Sequence, residues 1–217
     1  MYNGASYRKG YPMKLYFSPG ACSLAPHIVL EELGQKHTLE KVDLAVHRTE
    51  NGADYYEVNP KGYVPALDIG EAAVLTEVPV VIQYIVDKSG NTELLPKAGT
   101  MERYRAMEML NFITAEMHKG LGGLFYKPVP EARKAIVEKF SKRLDWLESK
   151  LEKAKYILGN TFSAADAYAF TILSWAPMLN FDLKPWKNVS DYVARIAARP
   201  SVQAAMKAEG LKVAEAA

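Results

Sequence analysis

The chain has 217 residues, of which 49% are hydrophobic and 24% charged, a composition typical of a globular protein with one or two domains. Its net charge of +2 is too small to hold nucleic acid without a dense basic patch. The best uncharged stretch, residues 167–181, contains Pro177 and is shorter than the roughly 20 residues of a membrane span. The N-terminus lacks the apolar run of a secretory signal. We therefore expect a cytoplasmic protein that binds neither nucleic acid nor membrane.

Cys22 is the only cysteine in the chain. An intrachain disulfide, a Cys-x-x-Cys redox pair and a cysteine zinc cluster are therefore excluded. Any thiol chemistry must use one sulfur, and the sequence predicts no metal site.

The predicted elements follow a flexible, non-periodic extension at residues 1–12. A strand, a helix, a strand, a short helix, a hairpin and a helix are then predicted at residues 14–17, 24–33, 37–44, 53–58, 64–75 and 77–87. This βαβαββα order predicts an α+β or α/β domain with a mixed four-stranded sheet over residues 13–90.

The pattern changes after Gly90. Residues 91–99 contain Pro96 and Gly99 and are predicted to be a linker. Residues 100–217 follow the helical period with almost no strand signal, which predicts an all-helical domain. Its helices are predicted at residues 101–120, 131–153, 163–177, 189–198 and 201–208.

Cys22 stands just before the first predicted helix. Because proline is tolerated only in the first turn of a helix, Pro26 places the helix start between residues 22 and 25. Unpaired N–H groups and the positive end of the helix dipole favour a thiolate there, either that of Cys22 or that of a bound ligand. An ordinary core cysteine would fit the same position about equally well. Ser23 is expected to cap this helix, and Tyr16 lies on the strand before it.

Two further junctions have the composition of ligand-binding loops. Pro65 begins a strand and cannot donate to the ladder, which leaves the backbone of Val64 for a ligand, and such a proline can be cis. Glu77 precedes a helix whose first turn contains Pro79. A helix N-terminus binds carboxylates and Glu77 can pair with an ammonium group, so a zwitterionic amino-acid end would fit. Alternatively, Glu77 only complements the helix dipole.

Asn111 and His118 are seven residues apart on one predicted helix. That spacing places them on one face, roughly 10 Å apart at 1.5 Å per residue, where they could line one cleft. A lone histidine on a helix is more often an ordinary packing residue. Ser163 and Asp166 are predicted to form a capping box at the start of an apolar helix.

Several short motifs recur together along the chain: MKLY at 13–16, GACSL at 20–24, NPKG at 59–62, VPAL at 64–67, LTE at 75–77, LN at 110–111, HKG at 118–120, and FS with ADAY at 162–168. With these motifs, the chain from Met13 to about Lys212 resembles the cytosolic glutathione transferases, and within them the bacterial beta class. It implies a thioredoxin-like N-terminal domain that binds glutathione and a more variable acceptor site against the helical domain. It also implies a homodimer.

The resemblance assigns roles near the glutathione sulfur. Cys22 would face that sulfur and His118 would reach it from the second domain. Tyr16 and Ser23 are secondary catalytic candidates beside it.

The resemblance also assigns the remainder of the glutathione site, which comprises His47, Tyr63, Val64, Pro65, Glu77, the amide of Val78, and Asn111. The backbone of Val64 would pair with the cysteinyl part, and Glu77 would hold the γ-glutamyl end. Val78 has no hydroxyl where relatives often carry Ser or Gly, and His47 stands where a lysine is common. Both differences predict a modest affinity for glutathione.

The predicted activity is transfer of glutathione to small hydrophobic electrophiles. Thiol–disulfide exchange or peroxide reduction through a mixed disulfide of Cys22 with glutathione is predicted beside it. Two alternatives remain open at this point. One is a non-enzymatic glutathione-binding or regulatory protein on the same fold, and the other is a glutathione-dependent isomerase or dehalogenase.

Overall fold

The computed structural model describes residues 12–70 and 74–212. Apart from Pro12, the predicted N-terminal extension lies outside these residues. Within the described ranges, no helix combines the length and the apolar character needed to cross a bilayer.

The N-terminal part consists of one sheet with helices packed on it. Its elements are β1 (Met13–Phe17), α1 (Leu24–Glu32), β2 (His37–Asp43), β3 (Arg48–Thr49), α2 (Tyr55–Val58), β4 (Ala66–Asp68), β5 (Leu75–Thr76) and α3 (Val78–Ser89).

The strand order in the sheet is β3-β2-β1-β4-β5. β1 is parallel to β2 and antiparallel to β4. The outer pairs, β2 with β3 and β4 with β5, are antiparallel. The predicted mixed sheet is confirmed, but the prediction of four strands was wrong by one. β3 has two residues, too few to show the alternation by which a strand is recognised in sequence.

Glycines end the two long helices of this part. Gly34, with a φ of +60°, follows α1, and Gly90, with a φ of +71°, ends α3. This left-handed conformation is easy for glycine and stops the helical backbone.

The C-terminal part is helical throughout its described residues. Its elements are α4 (Met101–Phe112), a π-helical turn (Ile113–His118), α5 (Lys119–Gly122), a 3₁₀ turn (Gly123–Tyr126), α6 (Pro130–Leu151), α7 (Ala164–Leu173), α8 (Lys187–Ala197) and α9 (Pro200–Ala208). The helix predicted over residues 101–120 is therefore interrupted by the π turn.

The two parts share one apolar core. α1 packs against α3 on its own domain and against α7 and α9 of the helical part. All residues from Leu24 to Leu30 are consequently buried. The continuous core includes Ile28 of α1, Ile82 of α3 and Ile172 of α7. The start of α1, with Cys22, is thus fixed between the two domains.

The predicted capping box of α7 is confirmed. The buried carboxylate of Asp166 accepts hydrogen bonds from the backbone N–H of Ser163 at 2.8 Å and from its hydroxyl at 2.6 Å. It also accepts from the N–H of Ile157 and from the hydroxyl of Tyr192, both at 2.8 Å. Asp166 therefore holds three separate segments of the helical part together.

Candidate active site

A cleft of about 590 Å³ lies between the two domains, a volume suited to a small ligand. One wall, here the N-terminal wall, is formed by the loops before α1 and β4 and by the start of α3. The opposite wall, here the helical wall, is formed by the π turn, α5, the 3₁₀ turn, and α7 with the residues after it.

Cys22 lies on the N-terminal wall, beside the loop that precedes β4. Its Sγ donates a hydrogen bond to the carbonyl oxygen of Val64 at 3.2 Å. The peptide bond between Val64 and Pro65 is cis, and both residues line the cleft. The prediction that this proline can be cis is confirmed, and its loop meets the thiol directly.

The Cys22 thiol is protonated at neutral pH. Burial by the surrounding protein raises its pKa to about 12. The backbone N–H groups of Cys22 and Ser23 and the charge of Lys119 lower this pKa, and Glu77 raises it. A thiolate of Cys22 itself is therefore not favoured, because removal of water outweighs the helix terminus here, whereas a thiolate of a bound ligand stays a prediction.

Ser23 and Tyr16 do not line the cleft. The buried hydroxyl of Ser23 donates to the carbonyl of Ser18 at 3.3 Å and accepts from its N–H at 3.2 Å. Since that side chain makes no capping bond to α1, the expected cap was wrong. Tyr16 packs in a small separate core with Tyr55, and its hydroxyl accepts from Lys14 at 3.4 Å. Their roles beside the sulfur stay predictions.

Glu77, Val78 and Tyr63 line the cleft, and their contacts with glutathione stay predictions. Glu77 has a φ of +72°, a region that non-glycine residues rarely occupy and that is concentrated at functional sites. Its carboxylate pairs with the ammonium of Lys61 at 2.6 Å. Val78 is the first residue of α3 and Pro79 the second, so a helix N-terminus faces the cleft beside an exposed ion pair.

His47 is outside the cleft. Its ring packs on that of Tyr56, with the centroids 4.5 Å apart. A Cβ added to Gly62 would come within 3.1 Å of the imidazole, so the NPKG turn fits closely around it. A contact of His47 with glutathione stays a prediction.

His118 lies on the helical wall, at the end of the π turn. Its Nδ1 shares a 2.7 Å hydrogen bond with the hydroxyl of Tyr168. Its ring packs edge-on against Trp175, whose ring also meets Phe125. Burial and, to a smaller extent, the positive charge of Lys119 lower the pKa of His118 to about 4, although Glu77 acts in the opposite direction. His118 is therefore neutral at physiological pH.

Asn111 is not on the cleft with His118. It is exposed on α4, and its amide donates to the carbonyl of Met107 at 3.0 Å. The shared face was predicted for a regular α-helix, but the π turn Ile113–His118 uses more residues per turn. Seven residues therefore no longer return to the same face, and a role for Asn111 stays a prediction.

The helical part also holds the loop before Cys22. The N–H of Gly20 donates to Glu209 at 2.8 Å, and the carbonyl of Gly20 accepts from the indole of Trp175 at 2.8 Å. The same Glu209 carboxylate bonds Nδ1 of the buried His27 at 2.9 Å. Sequence reasoning missed these residues because the contacts join positions far apart in the chain.

Comparison with known proteins agrees with this geometry. Residues 20–88 match the model of the glutathione S-transferase N-terminal domain, and residues 108–200 match that of the C-terminal domain. The chain is 43% identical over 201 residues to glutathione S-transferase GstA of Escherichia coli O157:H7, covering 92% of this chain and 100% of that protein. The chain belongs to the glutathione S-transferase family.

Solved structures of this family narrow the class. A sphingomonad glutathione S-transferase complexed with glutathione superposes with a TM-score of 0.86 at 42% identity, over 92% of this chain and 100% of that one. A bacterial beta-class glutathione S-transferase from Sphingomonas chungbukensis superposes with a TM-score of 0.87 at 43% identity and the same coverage. The chain is thus a bacterial-type glutathione transferase, and the predicted thioredoxin-like and helical domains are confirmed.

Proposed function

We propose that the cleft binds glutathione along its N-terminal wall and transfers it to small hydrophobic electrophiles held against the helical wall. The observation that carries this proposal is the contrast between the two walls. Cys22, the Val64 loop and the Lys61–Glu77 pair offer polar groups on one side. Phe125, Tyr126, Trp175 and Met178 offer apolar surface on the other.

The polar groups on the N-terminal wall suit the groups of glutathione. The γ-glutamyl end carries one ammonium and one carboxylate, which suit Glu77 on one side and Lys61 with the N-terminus of α3 on the other. The cysteinyl part would then pair with the backbone of Val64. That placement directs the glutathione sulfur to Cys22, whose thiol already contacts the Val64 carbonyl.

Cys22 serves in this proposal as a hydrogen-bond donor. With a pKa of about 12 it keeps its proton at neutral pH, and an S–H group can turn towards an incoming sulfur. A hydrogen bond to the glutathione thiolate stabilises its negative charge. The thiolate attacks the electrophilic carbon, a C–S bond forms, and the leaving group departs with the electron pair of the broken bond.

His118 assists as a neutral base in the same proposal. Its lowered pKa leaves an imidazole without a positive charge, able to accept a hydrogen bond from the glutathione thiol. A group with a pKa of about 4 does not retain a proton at pH 7, so the proton passes on to solvent. Tyr168 orients the ring through its hydroxyl.

The raised pKa of Cys22 counts against thiol–disulfide exchange as the main activity. Exchange needs an attacking thiolate, and a thiol with a pKa of about 12 supplies very little at neutral pH. Peroxide reduction through Cys22 faces the same obstacle. A mixed disulfide of Cys22 with glutathione stays a secondary prediction.

Substitutions at Cys22 separate the two roles. Cys22→Ser keeps a donor and should retain transfer within about threefold, whereas Cys22→Ala should lose about tenfold or more in kcat/KM, as expected for a hydrogen bond to a charged group. The assay is conjugation with a panel of electrophiles, beside calorimetric titration with glutathione. Equal rates for Cys22→Ala and wild type would refute the donor role.

The same panel decides between the alternatives. Glutathione binding without turnover of any electrophile would indicate a binding or regulatory protein. Turnover restricted to an isomerisation or a dehalogenation would indicate a specialised enzyme. If Cys22→Ser is as inactive as Cys22→Ala, the sulfur itself is required and the redox role becomes primary.

A homodimer is also part of this proposal. Large apolar side chains are exposed on the neighbouring helices α3 and α4, namely Val80, Met101 and Tyr104. Exposed apolar surface of this kind is typical of subunit interfaces. Sedimentation velocity at assay concentration should give twice the mass of the chain.

A free thiol in the cleft fits a reducing compartment, so the cytosol remains the proposed location.

A further inference from the structure

Two histidines and a glutamate lie close together between α1 and the first residue of β2, and none of them lines the cleft. Nε2 of His27 lies 3.8 Å from Oε1 of Glu31, and Nε2 of His37 lies 3.6 Å from the same oxygen. The three atoms are all within 4.8 Å of one another. Both nitrogens thus face one carboxylate oxygen at distances too long for hydrogen bonds.

His27 supplies the strongest sign that a ligand belongs here. Its side chain is fully buried, yet its Nε2 has no hydrogen-bond partner within the described part of the chain. Buried polar atoms are nearly always paired, so an unpaired ring nitrogen aimed at a second histidine and a carboxylate requires an explanation. A cation between the three groups would give this nitrogen a partner.

The other ring nitrogens set the tautomers that a metal needs. Nδ1 of His27 is 2.9 Å from the Glu209 carboxylate, and Nδ1 of His37 is 2.8 Å from the carbonyl of Gln35. Since ionised carboxylates and carbonyls only accept hydrogen bonds, each Nδ1 carries the proton in neutral imidazole and each Nε2 presents its lone pair. A carboxylate or a carbonyl behind each histidine is the usual outer shell of a metal-binding imidazole.

We propose that His27, Glu31 and His37 bind one divalent first-row transition metal ion, with Zn²⁺ as the best fit. Two imidazoles and one carboxylate are a zinc ligand set in which water completes the tetrahedron. Ca²⁺ and Mg²⁺ prefer oxygen ligands and fit poorly.

Binding an ion requires the three ligand atoms to move closer together. Bond lengths near 2.1 Å place tetrahedral ligand atoms about 3.4 Å apart. The two contacts to Glu31 would each shorten by a few tenths of an ångström, and the two histidine nitrogens, which lie within 4.8 Å of each other, would approach by up to about 1.4 Å. The Glu31 side chain is 30% exposed, which gives it the freedom to move and gives the ion and its water an entrance.

This site is separate from the transfer reaction. None of its three ligands lines the cleft between the domains. A bound ion would join α1 to β2, and through His27 it would strengthen the hydrogen bond to Glu209. We assign it a structural role, which the chemistry at Cys22 does not require.

Calorimetric titration of chelator-treated protein with Zn²⁺ tests the site. Wild type should bind one equivalent, and His37→Gln and Glu31→Gln should each bind at least about tenfold more weakly. Both residues are partly exposed, so these changes spare the buried His27. His47→Gln is the matched histidine control and should bind as wild type does.

The variant Cys22→Ser tests whether zinc binds in the cleft instead of at the proposed site. In Cys22→Ser, Zn²⁺ should still bind one equivalent, and the melting temperature should still rise with Zn²⁺, whereas that rise should vanish in His37→Gln. Circular dichroism of the metal-free variants shows that they are folded. The proposal is overturned if wild type binds no Zn²⁺, if His37→Gln binds as tightly as wild type, or if binding is lost in Cys22→Ser.

Discussion

The two walls of the cleft are built in different ways. The N-terminal wall presents backbone turns at the ends of short elements, and its key residues, Cys22, Val64 and Glu77, each stand within a few positions of a proline. The helical wall presents side chains such as His118 and Trp175, whose positions depend on how long helices pack. The comparison shows that local chain signals locate a backbone site, whereas an aromatic wall depends on long-range packing.

Both walls, however, favour the neutral form of a titratable side chain. The pKa of Cys22 is raised to about 12 and that of His118 is lowered to about 4, and loss of water is the largest cause of both shifts. Burial therefore keeps both groups neutral at pH 7. The charged residues Lys61 and Glu77 are exposed at the rim. Neutral groups inside the cleft and charged groups at its edge suit a ligand with charged ends and a reactive thiol.

The largest expected effect is on the stability of the helical part, which forms the helical wall. Asp166→Ala removes the acceptor of four hydrogen bonds at the start of α7, which carries Tyr168. We expect a loss of more than about 3 kcal/mol in the free energy of unfolding, because buried donors are left without partners. Urea unfolding followed by circular dichroism measures it.

Asp191→Ala is the matched control for that prediction. Asp191 is an exposed aspartate on α8, paired with Lys187, and its removal should change the free energy of unfolding by less than about 0.5 kcal/mol. A similar loss in both variants would mean that Asp166 does not hold the helical wall.

A smaller effect is expected from pH. Unfolded histidine takes up a proton near pH 6.5, whereas folded His118 does so only near pH 4. The unfolded state therefore binds more protons between these values, so stability is retained above pH 6.5 and falls as the pH decreases towards 4.

His118→Gln should remove that dependence while keeping a polar partner for Tyr168. The fall in the free energy of unfolding from pH 7 to pH 5 should be about 1–2 kcal/mol smaller than in wild type. Chemical unfolding at the two pH values measures it. An unchanged pH dependence would show that His118 is not neutralised by burial.

The smallest effect is expected at the exposed rim. Lys61→Met removes one side of the Lys61–Glu77 pair, and we expect KM for glutathione to rise less than about fivefold with kcat unchanged. Lys134→Met, in an exposed pair with Glu138 on α6, is the control and should leave KM unchanged. A change in kcat at Lys61 would place the residue in the chemical step.

Sequence was sufficient for the fold where the signals were local. Pro26 and Gly34 placed the two ends of α1 within a residue or so, and Ser163 with Asp166 marked the start of α7. The two-residue strand β3 and the π turn were not predicted. A pair of residues is too short to show a period, and a π turn has the composition of an α-helix.

The site shows the same division. Val64, Pro65 and Glu77 were found from proline at strand and helix starts, and they line the cleft. Asn111 was misplaced because the helix phase changes after it. The protonated state of Cys22 followed from how deeply the folded chain buries the thiol, which no local pattern reports. His27 and His37 drew no attention for the same reason.

The hydrogen bonds of Gly20 to Trp175 and Glu209 determine how early during synthesis the site can form. Its partner Glu209 stands 189 residues further along the chain. At roughly 5–20 residues per second, a ribosome needs about 10–40 s to reach that point after making Gly20. The sheet can form earlier, but the loop before Cys22 gains its last anchor only when α9 has been made and docked. A nascent chain therefore carries its thiol in an unfinished loop throughout most of its synthesis.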